Sequence, residues 1–169
     1  MSVRPAVWLA ATLVVAIDLF TKQWALSALM PGVRHPVWGD VLSLQLVFNS
    51  GAAFSLGENY TWVLTVVAVV VTAGIVYYAR RARTALAVAL FGVALGGATG
   101  NLIDRLFREP GFGRGHVVDM INYNNVFVGN VADIAIVGAA VVFMLVSLFG
   151  KRLLDPAPSR PVSAGDTTL

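Results

Sequence analysis

Four apolar runs, near Val7–Leu29, Trp62–Tyr78, Ala85–Ile103 and Val131–Phe149, each have the length of a membrane crossing. A helix needs about 20 mainly apolar residues to traverse about 30 Å of hydrocarbon. Lipid offers nothing to free backbone N–H and C=O groups, so within such runs helix is the expected structure. Only 12% of the 169 residues are charged and the mean hydropathy is +0.77. That balance excludes a soluble domain and leaves room for four spans with two sizeable connections.

The flanks orient the spans. Trp8, Trp24, Trp62, Tyr77 and Tyr78 stand towards the ends of the runs, where amphipathic rings anchor at the interface. Arg4, Arg80, Arg81, Arg83, Lys151, Arg152 and Arg160 share one side, against Arg34, Arg105, Arg108 and Arg114 on the other. This excess places both termini in the cytoplasm and the two long connections outside. The net charge of +3 is spread among the spans, so it reads as membrane topology and not as a nucleic-acid surface. With no cysteine there is no disulfide framework, thiol nucleophile or lipidation site. Arg4 and the stretch ALSA (Ala25–Ala28) imitate a cleavable leader, but Asp18 and Lys22 interrupt the end of its apolar core, so the first span is expected to be retained.

Between spans one and two, Val41–Val47 alternates apolar and polar residues before a glycine-containing turn, which predicts a short antiparallel element at the membrane surface. Between spans three and four, a glycine- and asparagine-rich connection carries the apolar-flanked HVVDMI. The third run contains GVALGGATGN, small residues that allow close helix approach. Residues 1–150 read as one membrane domain, and Lys151–Leu169, with three prolines, as a disordered cytoplasmic tail.

Charges inside the spans demand an account. Asp18 and Lys22 are one helical turn apart and can pair, which makes both tolerable in lipid. Lys22 is also a candidate general base for Ser27, Ser50 or Ser55, although no motif links it to any of them. At the end of the third run, Asp104 can pair with Arg108, while Asn101 and Arg105 are either a polar helix end or donors for a substrate's carbonyls. Both readings stay open there.

Asp133 falls in the first turn of the fourth run, behind Asn130 as an N-cap, where backbone N–H groups favour a negative charge. Taken alone it is an ordinary cap. Asp119, set among Val117, Val118, Met120 and Ile121, lies 14 residues earlier on the same side of the membrane. Two carboxylates sharing a pocket resist double ionisation, so one keeps a proton near neutral pH. An aspartic peptidase needs that state, one acid activating water and the other hydrogen-bonding the scissile carbonyl. His116 is a candidate to orient Asp119 or to join it on a metal, but one His and two acids make a thin metal site; neither metal nor cofactor is expected.

The motifs DLFTK (Asp18–Lys22), NSGAAFS (Asn49–Ser55), GGATGNLIDR (Gly96–Arg105), GHVVDMI (Gly115–Ile121) and NVAD (Asn130–Asp133) occur in order along Trp8 to about Gly150. Together they resemble the lipoprotein signal peptidases, the aspartic intramembrane peptidases of bacteria. The resemblance implies an all-α membrane protein of four helices, with a small β-cradle between helices 1 and 2 matched by Val41–Phe54. It implies that Asp119 and Asp133 are catalytic, that Asn49, Asn101, Arg105 and Asn130 bind substrate, and that Asp18 and Lys22 serve the fold. The implied substrate is a diacylglyceryl-modified prolipoprotein, cut just before its lipidated cysteine by a monomer in the bacterial cytoplasmic membrane, with the site towards the outer face. One position departs from the family pattern: Gly129 stands where an apolar or aromatic residue usually precedes the asparagine. The rival readings are a small proton- or ion-coupled transporter, in which intramembrane acids relay protons, and a non-catalytic assembly subunit.

Overall fold

The computed structural model describes residues 3–51, 61–82, 84–150 and 153–154. Residues 52–55 of the NSGAAFS motif, including the cradle's expected end at Phe54, lie outside the described residues, as do Arg83 and most of the expected tail. Four helices, α1 (Pro5–Ala28), α2 (Thr61–Ala79), α3 (Ala85–Phe107) and α4 (Val131–Leu148), match the apolar runs and are each long and apolar enough to cross a membrane. Their starts obey local chemistry. Pro5 opens α1, where its missing N–H costs nothing. The Thr84 side chain caps α3 by accepting the Ala87 N–H at 3.0 Å.

α3 is the central helix and packs against each of the other three. Its small residues explain how. Gly92, Gly96 and Gly100 recur every four residues and face α1, where a Cβ on Gly96 would lie 2.7 Å from the Ala11 carbonyl oxygen. Gly97 faces α4, and a Cβ there would come within 2.9 Å of Ile136 Cγ1. Close backbone approach of this kind holds helices together where lipid provides no hydrophobic drive.

The extramembrane part is larger than the first connection alone supplies. Strand β2 (Leu42–Asn49) covers most of the expected Val41–Val47 element, but its hairpin partner β1 (His35–Trp38) precedes it and does not follow the glycine-containing turn. Strands β3 (Val117–Tyr123) and β4 (Phe127–Gly129) from the second connection extend the pair to an antiparallel sheet in the order β1-β2-β3-β4. The join is β2 with β3, with Asn49 opposite Val117 and Val47 opposite Asp119. Between β3 and β4 the chain reverses through Asn124 and Asn125, both at positive φ (51° and 59°), a conformation asparagine tolerates better than most residues. Ala25 of α1 packs with Leu46, Val118 and Met120, which seats the sheet on the end of the first helix.

Two boundaries differ from the sequence expectation. α3 continues past Ile103 to Phe107, because buried partners receive Asp104, so the helix need not end where the apolar run does. In the segment read as a disordered tail, Leu153 is buried with Val7, Ala79 and Ala82, and Leu154 forms a bridge to Ala82.

Candidate active site

β3 carries Asp119 into the interior. Strand alternation sends Val118 and Met120 towards α1, leaving Asp119, only 1% exposed, on the opposite face. Its Oδ2 accepts a hydrogen bond from Asn49 Nδ2 at 2.8 Å, and its Oδ1 one from Asn130 Nδ2 at 2.6 Å. Asn49 reaches it because β2 pairs with β3. Asn49 Oδ1 accepts the Gly51 N–H at 2.7 Å, which turns the side-chain NH2 towards the carboxylate.

Asp133 is the cap that its position suggested, and it does more than cap. Asn130 and Asp133 form a reciprocal box: Asn130 Oδ1 accepts the Asp133 N–H at 3.0 Å, and Asp133 Oδ2 accepts the Asn130 N–H at 3.1 Å. Asp133 Oδ1 points elsewhere and accepts from Asn101 Nδ2 at 2.8 Å. The Asn130 NH2 divides between Asp119 and, at 3.1 Å, Asn101 Oδ1. One buried asparagine thus touches both acids.

Both carboxylates line a cavity of 240 Å³ together with Asn49, Asn101 and Arg105. Its other walls are apolar, with α2 contributing Leu64, Val67, Ala68 and Val71. Arg105 Nη1 is buried there with no hydrogen-bond partner among the described residues, and a buried donor without an acceptor is costly unless a ligand supplies one. Of the residues expected to meet substrate, Asn49, Asn101 and Arg105 border the cavity, whereas Asn130 lies behind the acids, 1% exposed.

The remaining candidates sort by geometry. Lys22 pairs with Asp18 at 2.7 Å and with Asp104 at 2.9 Å, and it donates to Asn101 at 2.9 Å; no serine among the described residues is hydrogen-bonded to it. Asp104 also pairs with Arg108, as their spacing on the helix suggested. His116 does not orient Asp119; it lines a separate cavity with Phe48, Arg108 and Glu109. Gly129 has a local reason. A Cβ there would lie 2.6 Å from the Phe127 ring and 2.9 Å from Asp133 Oδ2, so Phe127, stacked on Tyr123, fills the space that a side chain would need.

Burial pushes Asp119 up to about 6 from 3.8; the Asn49 hydrogen bond opposes this, the Asp133 charge adds to it, and Asn130 and Lys22 oppose it. The sign of the linkage follows. Between these values the folded protein holds a proton that the unfolded chain releases, so stability falls as pH rises through the window. Asp119→Asn removes the titration. From about pH 4 to about pH 7 its stability, and with it its melting temperature, is expected to gain on that of the parent, the stability towards a limit of about 3 kcal/mol. Thermal unfolding in detergent at several pH values checks this, and a constant difference between the two proteins would show that Asp119 is not desolvated.

Comparison with known proteins follows the same lines. The family model described as Signal peptidase (SPase) II matches residues 10–149. The chain is 46% identical over 140 residues to a lipoprotein signal peptidase of Mycobacterium avium, covering 83% of this chain and 77% of that one. With the lipoprotein signal peptidase of Mycolicibacterium smegmatis it shares 47% over 140 residues, 83% of this chain and 60% of the relative. With that of Rhodococcus jostii it shares 44% over 159 residues, 93% and 78% of the two chains. Two solved structures of a bacterial membrane enzyme, obtained by the in meso method at 1.9 and 2.3 Å, superpose with TM-scores of 0.70 and 0.71. They cover 85% and 88% of this chain, and 92% and 93% of their own, at 22% and 23% identity, and so speak for the fold alone.

Proposed function

The chain belongs to the signal peptidase II family, and on that premise we propose that it removes signal peptides from diacylglyceryl-modified prolipoproteins, cutting just before the lipidated cysteine. The observation that carries the reading is the pair Asp119 and Asp133, hydrogen-bonded through Asn130 and facing a small, mostly apolar cavity. In the resting state one proton belongs to the pair, and burial favours Asp119 as its carrier. Asp133 takes a proton from a water as its oxygen attacks the scissile carbonyl carbon. Asp119 donates its proton to the carbonyl oxygen, which yields a gem-diol. Collapse of the diol breaks the C–N bond; the leaving nitrogen receives the proton held on Asp133, and a diol hydroxyl returns one to Asp119. The unpaired Arg105 N–H binds a substrate backbone carbonyl and holds the extended segment over the acids. Asn49 borders the cavity from β2 and donates to Asp119, while Asn101 and Asn130 hold the acids in place.

A transporter needs acids placed along a path through the membrane. The dyad instead occupies one end of the helix bundle, on a strand and on the first turn of α4, which favours a peptidase whose substrate reaches it from the membrane surface. Purified protein in liposomes is expected to release the signal peptide from a diacylglyceryl-modified precursor; failure to cleave any such precursor would overturn the reading.

The proposed topology puts both termini and the Arg80–Arg83 connection in the cytoplasm and the dyad near the outer face of the cytoplasmic membrane. Reporter fusions after Arg83 and after Asn59 are expected to report opposite sides, with Arg83 internal. An external Arg83 would invert the protein and place the dyad at the wrong surface.

A further inference from the structure

Lys22 is fully buried and does not border the catalytic cavity, yet its ammonium makes three polar contacts, one hydrogen bond and two ion pairs, and each leads towards the catalytic acids. The first goes to Asn101 Oδ1 at 2.9 Å. An ammonium has only donors, so it holds the amide oxygen on its own side, as Asn130 does, and turns Asn101 Nδ2 to Asp133. The second goes to Asp104, whose Oδ2 also accepts the Val118 N–H at 3.2 Å, next to Asp119 on β3. The third goes to Asp18, whose Oδ1 accepts the Ala132 N–H at 2.9 Å, next to Asp133 on α4.

The charges of this cluster also balance. Lys22, Arg105 and Arg108 face Asp18, Asp104 and the dyad, and α2 contributes only apolar side chains to the cavity. Three cations match three carboxylates when the dyad carries one proton, the state that hydrolysis requires.

We propose that Lys22 is a positioning residue for both catalytic aspartates, and that its charge keeps the dyad singly protonated. The inference rests on the peptidase reading, which is tested separately by cleavage in the parent and its loss in Asp119→Asn.

Two variants test the inference with opposite signs. Lys22→Met removes a positive charge, so the dyad holds its protons to higher pH. The kcat/KM–pH profile is expected to move alkaline by about one unit. Loss of the Asn101 anchor is expected to lower kcat on the order of 100-fold, with KM little changed because Lys22 does not border the cavity. Asp18→Asn removes a negative charge while keeping a side chain of the same size beside Lys22, and its profile is expected to move acid. A network that merely stabilised the fold would lower yield and leave both profiles in place. If folded Lys22→Met kept the parental kcat and profile, the proposal would fall. If Lys22→Met does not fold, Asp18→Asn decides alone, and an unmoved profile overturns the proposal while parental cleavage leaves the peptidase reading intact.

Discussion

Asp119→Asn and Asp133→Asn are each expected to abolish cleavage of a diacylglyceryl-modified prolipoprotein, by at least about 10³-fold, while the protein still folds and inserts. Asparagine keeps the size of aspartate and most of its hydrogen bonding, but it cannot pass a proton to and from water. The two acids share one asparagine and one cavity, and the proposed mechanism uses them as a unit. The double variant is therefore expected to be scarcely worse than either single, because groups that act together are strongly non-additive. Chelators and reagents directed at serine or cysteine should leave the parent unaffected, since the proposed steps use none of those groups. Steady-state cleavage by the purified singles and double gives the measurement. Substantial activity in either single would sink the aspartic mechanism and leave Asp133 a helix cap.

Asn130→Ala is expected to injure both chemistry and fold. The substitution removes the donor to Asp119, the donor to Asn101 and the cap acceptor for the Asp133 N–H. Loss of the cap alone costs about 1 kcal/mol. Leaving a buried carboxylate one donor short costs about 1–3 kcal/mol more. Turnover should fall at least on the order of 100-fold, because the acids lose the residue that sets their separation. Its signature is a lower melting temperature together with lower kcat, in contrast with Asp119→Asn, which loses turnover but gains relative stability as pH rises from about 4 to about 7. An Asn130→Ala enzyme with parental kcat would show that the acids keep their geometry without the bridge.

The comparison of Asp119→Asn with Asn130→Ala also bears on why some of this site was readable in advance. Asp133 and Asn130 were legible because capping is local: both partners of the reciprocal box lie within four residues. Asp119 stood out as an acid among apolar neighbours. The part played by Asn130 did not, because its reach to Asp119 depends on where the β3–β4 hairpin closes. The pair Asn124 and Asn125 was the available signal for that hairpin, since adjacent asparagines favour such a reversal. Asn101 presented the opposite difficulty. Its place one turn before Arg105 suggested a donor aimed at substrate, but Lys22, 79 residues away, shares its carbonyl with Asn130 and leaves its amide facing Asp133.

What the sequence by itself determined is the set of features governed by local length and transfer energy. Four runs had to become membrane-length helices, because no other backbone arrangement within them satisfies its own hydrogen bonds in lipid. Small residues on α3 had to meet neighbours closely, and acids in apolar surroundings needed partners or a task. Only the tertiary structure decided the rest. It joined β2 to β3, so that the sheet drew on both connections, and it gave Lys22 three partners in place of the single one that helical spacing supplied. It also left Arg105 Nη1 without a partner among the described residues, beside the dyad. These outcomes turn on strand register and amide orientation between segments far apart in the chain, and hydrogen-bond geometry at that range leaves no periodic trace in the residues that make it.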